Sequence, residues 1–228
     1  LILVLTCEHA GNEIPLEFRH LFSKETGVLD SHRGYDPGAF DLFTHLKELS
    51  DFSHFQSTGR LLVEVNRSSH HPNLFSEFSK ILSLESKKQI LEQYYFPYRK
   101  EVERNIAKLL KKGEKVLHVS VHSFTPALNG VVRNADIGLL YDPSRQEELR
   151  ISADLKQQLR KIDPQLKVRF NYPYLGKADG FTTYLRKKFP KNYSGIELEV
   201  NQKFVAGNKM EISVKNDIFQ VLSRVLKE

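Results

Sequence analysis

Apolar residues recur along the chain in two rhythms. Short, dense runs lie at residues 1–7 (LILVLTC), 61–65 (LLVEV), 116–121 (VLHVSV), 137–141 (IGLLY), 167–171 (KVRFN) and 195–200 (GIELEV). Each has strand length and is rich in β-branched residues or leucine, so each is predicted to be a buried strand. Between these runs the apolar spacing lengthens. Ala39, Phe40, Leu42, Phe43, Leu46 and Leu49 recur at helical intervals and predict a helix over 36–49. Ile90, Leu91, Tyr94, Tyr95, Val102, Ile106, Leu109 and Leu110 predict a longer helix over 86–112, kinked or broken at Pro97. Residues 145–161 and 210–226 complete the set. Strand and helix alternate throughout, with no repeat, low-complexity tract or linker. The pattern predicts an α/β protein with a single domain over 1–228 and a mixed, mostly parallel sheet carrying helices on both faces.

Composition narrows the classes. The formal charge of +6 permits nucleic-acid binding, but the lysines are spread over helix-like stretches and no basic block is interleaved with stacking aromatics. The charge is therefore read as a solvated surface that steers small anionic substrates, with no nucleic-acid partner. No segment approaches the roughly eighteen apolar residues of a membrane span. The apolar start at 1–5 is too short for a signal peptide and lacks a basic flank. Cys7 is the single cysteine, which excludes an intrachain disulfide and suits a reducing, cytoplasmic setting. It reads as a small buried strand residue rather than a nucleophile.

Two histidines carry the chemistry. His9 and His122 each close, or nearly close, a predicted strand and are followed by turn-forming residues. Ligands in open α/β sheets gather at the carboxyl ends of strands, and imidazole is the commonest protein ligand of transition metals. A zinc site is the expectation. Other chemistry-bearing residues cluster at similar places. The stretch DSHRGYDPGA holds Asp30, His32 and Asp36, the last also placed to cap a helix starting near Pro37. The 61–65 run ends in Asn66 and Arg67. Glu197 and Glu199 stand two apart on one face of a predicted strand, a costly burial unless something cationic faces them. His70 and His71 read as loop residues.

In order, the motifs EHAGNEIP, HRGYDPGA, VNRS, VSVHSFTP, RNADIGLLYDP, NYPYLGKADGF and GIELEVNQ resemble the N-formylglutamate amidohydrolase family over about residues 5–205. That family is similar in turn to zinc carboxypeptidases and aspartoacylase. The resemblance implies a zinc carboxypeptidase-like (phosphorylase/hydrolase-like) fold. It also implies zinc-dependent hydrolysis of the amide bond of an N-formyl or similar short N-acyl amino acid with a free carboxylate, such as N-formylglutamate. A hydrolase of another N-acyl amino acid or peptide, and a non-catalytic zinc-binding relative, are the other readings of the same motifs.

Carried onto this chain, the resemblance makes His9 and His122 zinc ligands. Asn66 and Arg67 grip the substrate carboxylate, and Glu199 is the general base. The third ligand is left open. The carboxypeptidase pattern places a glutamate three residues after the first histidine, where this chain has Asn12. Asp36 ranks first, ahead of Glu13 and His32. The aspartate those relatives often carry two residues before the second histidine is Ser120 here, which leaves the orientation of His122 unexplained. Arg133 and Tyr174 are candidate substrate-binding residues, Tyr172 a candidate pocket residue, and Arg60 a candidate oxyanion partner.

Overall fold

The computed structural model describes residues 1–227. Its strands are β1 (Ile2–Cys7), β2 (Phe52–Phe55), β3 (Val116–Phe124), the hairpin β4 (Ala127–Leu128) and β5 (Val131–Val132), β6 (Ile137–Leu140), β7 (Val168–Phe170), β8 (Tyr193–Asn201) and a second short antiparallel pair, β9 (Val205–Ala206) and β10 (Lys209–Met210). The central sheet has the order β2–β1–β3–β8–β6–β7. β2, β1, β3 and β8 run parallel, whereas β6 is antiparallel to β8 and parallel to β7. The sheet is thus mixed and mostly parallel. Among the described residues no helix is long and apolar enough to cross a membrane.

Alternation along the strands gives the sheet two unlike faces. Leu3, Leu5 and Cys7 of β1, Leu117, Val119 and Val121 of β3, and Ile196, Leu198 and Val200 of β8 all join one apolar core. Three helices cover it, α1 (Ala39–Leu46), α4 (Gln146–Ile162) and α6 (Ile212–Val225). The opposite face carries Thr6, His118, Ser120, His122, Glu197 and Glu199. Its lower part is covered by α3 (Phe96–Lys111) and α5 (Phe181–Lys188), through Tyr98, Val102, Ile106, Phe181 and Leu185. Toward the carboxyl ends of the strands this face is polar, and there the candidate site lies.

Two expectations need correction. Residues 61–65 are buried but not a strand. Their backbone is folded into turns, with Leu62 N donating to Gly59 O and Glu64 N to Leu74 O. A short apolar run reports burial, not backbone conformation. The edge strand is instead β2, whose half-exposed FSHF sequence has no apolar run to announce it. The 86–112 helix is interrupted not at Pro97 itself but in the turn directly before it. A π-helical turn, Leu91–Tyr95, joins α2 (Leu84–Ile90) to α3, and Pro97 falls in the first turn of α3, where its missing N–H is tolerated.

One buried ion pair ties the second layer to the sheet. Arg186 of α5 donates Nε to both carboxylate oxygens of Glu148 in α4 at 3.0 Å. The same carboxylate accepts Gly195 N of β8 and Asp142 N. A buried charge pair with its remaining lone pairs satisfied in this way escapes most of the desolvation penalty.

Candidate active site

His9 sits in the turn after β1, and its carbonyl accepts the amide of Asp36 at 3.1 Å. Asp36 lies just before α1, but its carboxylate does not cap that helix. The N-cap is Gly38, at φ 77° and without a side-chain cap, and a Cβ there would come within 2.6 Å of Val205. The Asp36 carboxylate turns inward instead. Its Oδ2 lies 3.1 Å from His9 Nδ1 and 2.9 Å from His122 Nδ1. His122 is placed by β3, in register with Glu199 of β8.

These three residues are buried, and one ligand atom from each lies within 4.8 Å of the others. The fit to a divalent metal can be judged from this geometry. Ligand atoms at about 2.0–2.2 Å from a tetrahedral zinc stand roughly 3.3 Å apart, close to the spacings seen here. Two imidazoles and one carboxylate also form a donor set suited to zinc and its neighbours. The cluster is thus one that can hold a metal ion. Glu13 and His32 lie elsewhere: Glu13 accepts from Ser57 Oγ at 2.8 Å and, like His32, is exposed.

Each histidine has a second buried carboxylate behind it. His9 Nε2 lies 2.6 Å from Glu64 Oε1. His122 Nε2 lies 2.8 Å from Ser120 Oγ and 3.3 Å from Glu8 Oε2, while Ser120 Oγ donates to that same Glu8 oxygen. Tyr98 Oη donates to the other Glu8 oxygen at 2.9 Å. Both rings therefore present Nδ1 to the cluster and keep Nε2 on a carboxylate, the arrangement that fixes tautomer and orientation in metal-ligating histidines. Arg60 completes the lattice, with Nε 2.8 Å and Nη2 2.6 Å from Glu64 Oε2 and Nη1 3.2 Å from Asp36 Oδ1.

The charges respond to one another. Burial would lower the pKa of His122, but hydrogen bonds and charge from Asp36 and Glu8 carry it well above its ordinary value. For His9, burial and Arg60 lower it while Glu64 and Asp36 raise it, with a net rise. Burial would raise Asp36, Glu8 and Glu64, yet the histidines, with Arg60 beside Asp36 and Glu64, hold all three well below the usual carboxylate range.

Glu199 is the exception. It is buried, its Oε2 has no hydrogen-bond partner, and burial pushes its pKa to about 7. It lines a cavity of about 310 Å³ with His9, Asp36, His122, Arg67, Asn66 and Glu197. Asn66 is anchored through Oδ1, which accepts Phe181 N at 2.8 Å, and Arg67 through Nη1, which donates to Asp179 O at 2.6 Å. Tyr174 lines the same cavity. Tyr172 Oη accepts Asn134 N and does not line it. Arg133 also lies outside the lining: its guanidinium sits 5.1 Å from the Tyr174 ring centre, and Nη1 donates to Thr125 Oγ1. Arg60 lines the cavity as well, with three of its five N–H donors engaged by Glu64 and Asp36.

Comparison with known proteins bears on this arrangement. The family model described as N-formylglutamate amidohydrolase matches residues 1–206. The chain belongs to the N-formylglutamate amidohydrolase family. Among solved structures, a gene product of Agrobacterium tumefaciens is similar at 24% identity and a TM-score of 0.83, over 99% of this chain and 90% of that one. An N-formylglutamate amidohydrolase from Ralstonia eutropha JMP134 is similar at 16% identity and a TM-score of 0.73, over 100% and 93%. At such identities the likeness speaks for the fold. No curated protein matches the chain in sequence.

Sequence reasoning missed Glu8 and Glu64 as members of the site. Each had a readable signal, an acidic residue within or directly after an apolar run and within two residues of His9 or Asn66, since such a carboxylate demands a buried partner.

Proposed function

We propose that this member of the N-formylglutamate amidohydrolase family hydrolyses the amide bond of N-formyl or similar short N-acyl amino acids in a zinc-dependent reaction. The observation that carries the reading is the position of Glu199, a buried carboxylate with a free oxygen and a pKa near 7, in the same cavity as the His9, Asp36 and His122 cluster. General bases work best with a pKa near the working pH. His9, Asp36 and His122 would hold the zinc ion, which when bound polarises the scissile carbonyl and acidifies water.

The chain's own groups supply the rest. Glu199 takes a proton from the attacking water as its oxygen bonds to the acyl carbon, and delivers that proton to the departing nitrogen as the C–N bond breaks. The products are a carboxylic acid, formate for a formyl group, and the free amino acid. Arg67 binds the substrate carboxylate in a two-pronged geometry that lysine cannot reproduce, and Asn66 lies beside it on the cavity wall. Glu64 and Glu8 keep both imidazoles facing the cluster.

The test is metal analysis of purified protein combined with a panel of N-formyl and N-acetyl amino acids. The expected result is one zinc per chain and turnover of at least one panel member. His122→Ala should lose the metal while keeping the fold, because its ring lies in a polar pocket and not in the apolar core. Full metal retention in that variant, or no turnover by zinc-loaded wild type, would overturn the reading.

A further inference from the structure

Asn66 and Arg67 are held in place by a side chain that lies outside the cavity. Both belong to turns, with no neighbouring strand to fix their backbone. Among the described residues no backbone amide donates to the carbonyl of Val65 or of Arg67, the two that bracket Asn66. Arg99, in the first turns of α3, donates Nη1 to both, at 2.8 Å and 3.2 Å. Tyr95 Oη adds a further bond to the Arg67 carbonyl at 2.8 Å. Val65 is buried, so without Arg99 its carbonyl would have no partner away from water, a state that native structures rarely tolerate.

Arg99 is buried and forms no ion pair among the described residues. Burying a guanidinium without a carboxylate is costly, and burial pulls its pKa below the usual arginine value despite the tyrosines and Glu8 around it. Three aromatic rings offset this. The ring centres of Phe181, Tyr184 and Tyr95 lie 4.2, 4.8 and 5.1 Å from the guanidinium carbon, within reach of cation–π attraction. Phe181 also reaches the pair directly, its backbone N donating to Asn66 Oδ1 at 2.8 Å. An arginine that merely tied layers together could do so through a carboxylate, as Arg186 does with Glu148. The rings around Arg99 instead leave its Nη1 to the two carbonyls.

We infer that Arg99 is a positioning residue for substrate binding, which fixes the backbone on either side of Asn66 and so aims Asn66 and Arg67 into the cavity. Arg99 does not line that cavity and acts only through the pair. A two-pronged guanidinium–carboxylate bond demands close geometry, and a turn with both carbonyls released would no longer hold Arg67 to it. The metal cluster has its own anchors. His9 and His122 lean on Glu64 and Glu8, and Glu64 is tied by its amide to Leu74 O and by its carboxylate to Arg60. Loss of Arg99 therefore weakens the grip on a carboxylate and leaves the cluster in place. The inference rests on the hydrolytic reading for the duty given to Arg67, but it concerns binding alone.

The experiment compares N-formyl-L-glutamate with its α-carboxamide, which lacks the charge that Arg67 matches, on zinc-loaded protein. Binding is read by calorimetry on Glu199→Gln protein, and turnover on wild type. Glu199→Gln protein should prefer the carboxylate over the amide by about tenfold or more, the difference made by a charge-assisted bond. Adding Arg99→Met keeps a long apolar side chain among the rings but no donor. It should shrink that preference several-fold, with zinc content unchanged, and in the catalytic background raise KM for N-formyl-L-glutamate far more than it lowers kcat. Tyr95→Phe removes only the second bond to the Arg67 carbonyl and should act in the same direction to a lesser degree, which decides the matter if Arg99→Met does not fold. Arg99→Lys keeps charge and donors and should recover part of the preference. Equal losses for the two compounds would mark a merely structural role and overturn the inference. A preference untouched by both Arg99→Met and Tyr95→Phe, or a parent that binds the carboxylate no better than the amide, also overturns it. If wild type shows no turnover, the hydrolytic reading falls, and the binding preference still decides the role of Arg99.

Discussion

Glu8 Oε2 lies 3.3 Å from His122 Nε2, with Ser120 Oγ bonded to both groups. The carboxylate that orients this imidazole thus comes from the end of the neighbouring strand, and the serine two residues before the histidine bridges to it. Glu8 is almost completely buried, so no water competes for the contact.

Replacing Glu8 by glutamine keeps the volume but removes the acceptor charge that favours an Nε2–H tautomer. Loss of such a partner typically costs about 10–100-fold in metal affinity, and that loss is expected here, measured by competition with a chelator of known affinity. Adding Ser120→Asp to Glu8→Gln should recover most of it, because the carboxylate returns to the same ring nitrogen from the other strand. Unchanged affinity in the single variant would show that His122 needs no such support.

The two glutamates of β8 should separate cleanly in kinetics. Glu199→Gln keeps size and polarity but cannot accept a proton, so kcat should fall by on the order of 100-fold or more with zinc retained. Glu197→Gln should cost much less, since its carboxylate is engaged with Thr182. The reverse order of damage would move the base to Glu197.

Glu199 also carries a stability cost. Its folded pKa of about 7 lies above the ordinary 4.5, chiefly through burial. Below about pH 4.5 the carboxyl is protonated in both states and costs nothing. Between 4.5 and 7 the unfolded chain releases the proton that the folded protein keeps, so stability falls as pH rises, and above 7 the full penalty applies. Metal-free Glu199→Gln protein should therefore exceed metal-free wild type by about 3 kcal/mol at pH 8 and converge with it near pH 4.5. Denaturant titrations at the two pH values check this; a gap that does not change with pH would count against the buried, ionised carboxylate.

The buried pair of Glu148 and Arg186, outside the cavity lining, gives a complementary test. Glu148 is fully buried and accepts from Arg186, Gly195 and Asp142. Glu148→Ala strands the guanidinium and should cost about 3–5 kcal/mol, read from chemical denaturation.

What the chain declared in its sequence follows a physical line. β1, β3 and β8 were legible because each is a short, dense apolar run of strand length, and His122 was found at the end of one such run, while Glu197 and Glu199 were placed on one face by their spacing of two. Asp36 was reachable only as a ranked choice. Its two possible duties, capping α1 or facing the histidines, depend on the turn at Gly38, which is set by packing against Val205 some 170 positions away in sequence. Glu8 and Glu64 signalled a need for a buried partner but not which partner, for a related reason. The first acts through strand pairing and the second through a buried turn at 61–65 that reads as a strand.

Metal binding and protonation should be coupled at this site. Asp36 Oδ2 is shared by two imidazole Nδ1 atoms, and both histidines have raised pKa values, His122 well above its ordinary range. A raised histidine pKa means the proton is kept as pH climbs past the value at which an isolated imidazole would lose it. Zinc takes only the neutral ring, so it must displace these protons. Zinc titrated into metal-free protein at pH 7 should release at least one proton per chain. The release can be read as the dependence of calorimetric heat on buffer ionisation enthalpy. Apparent affinity should fall by about tenfold or more between pH 7.5 and 6.5, because each displaced proton contributes a tenfold change per pH unit. His122→Ala should abolish both signals. Zinc binding with no proton release would mean that Asp36 accepts from two neutral rings, and that the charges inferred for the metal-free cluster are wrong.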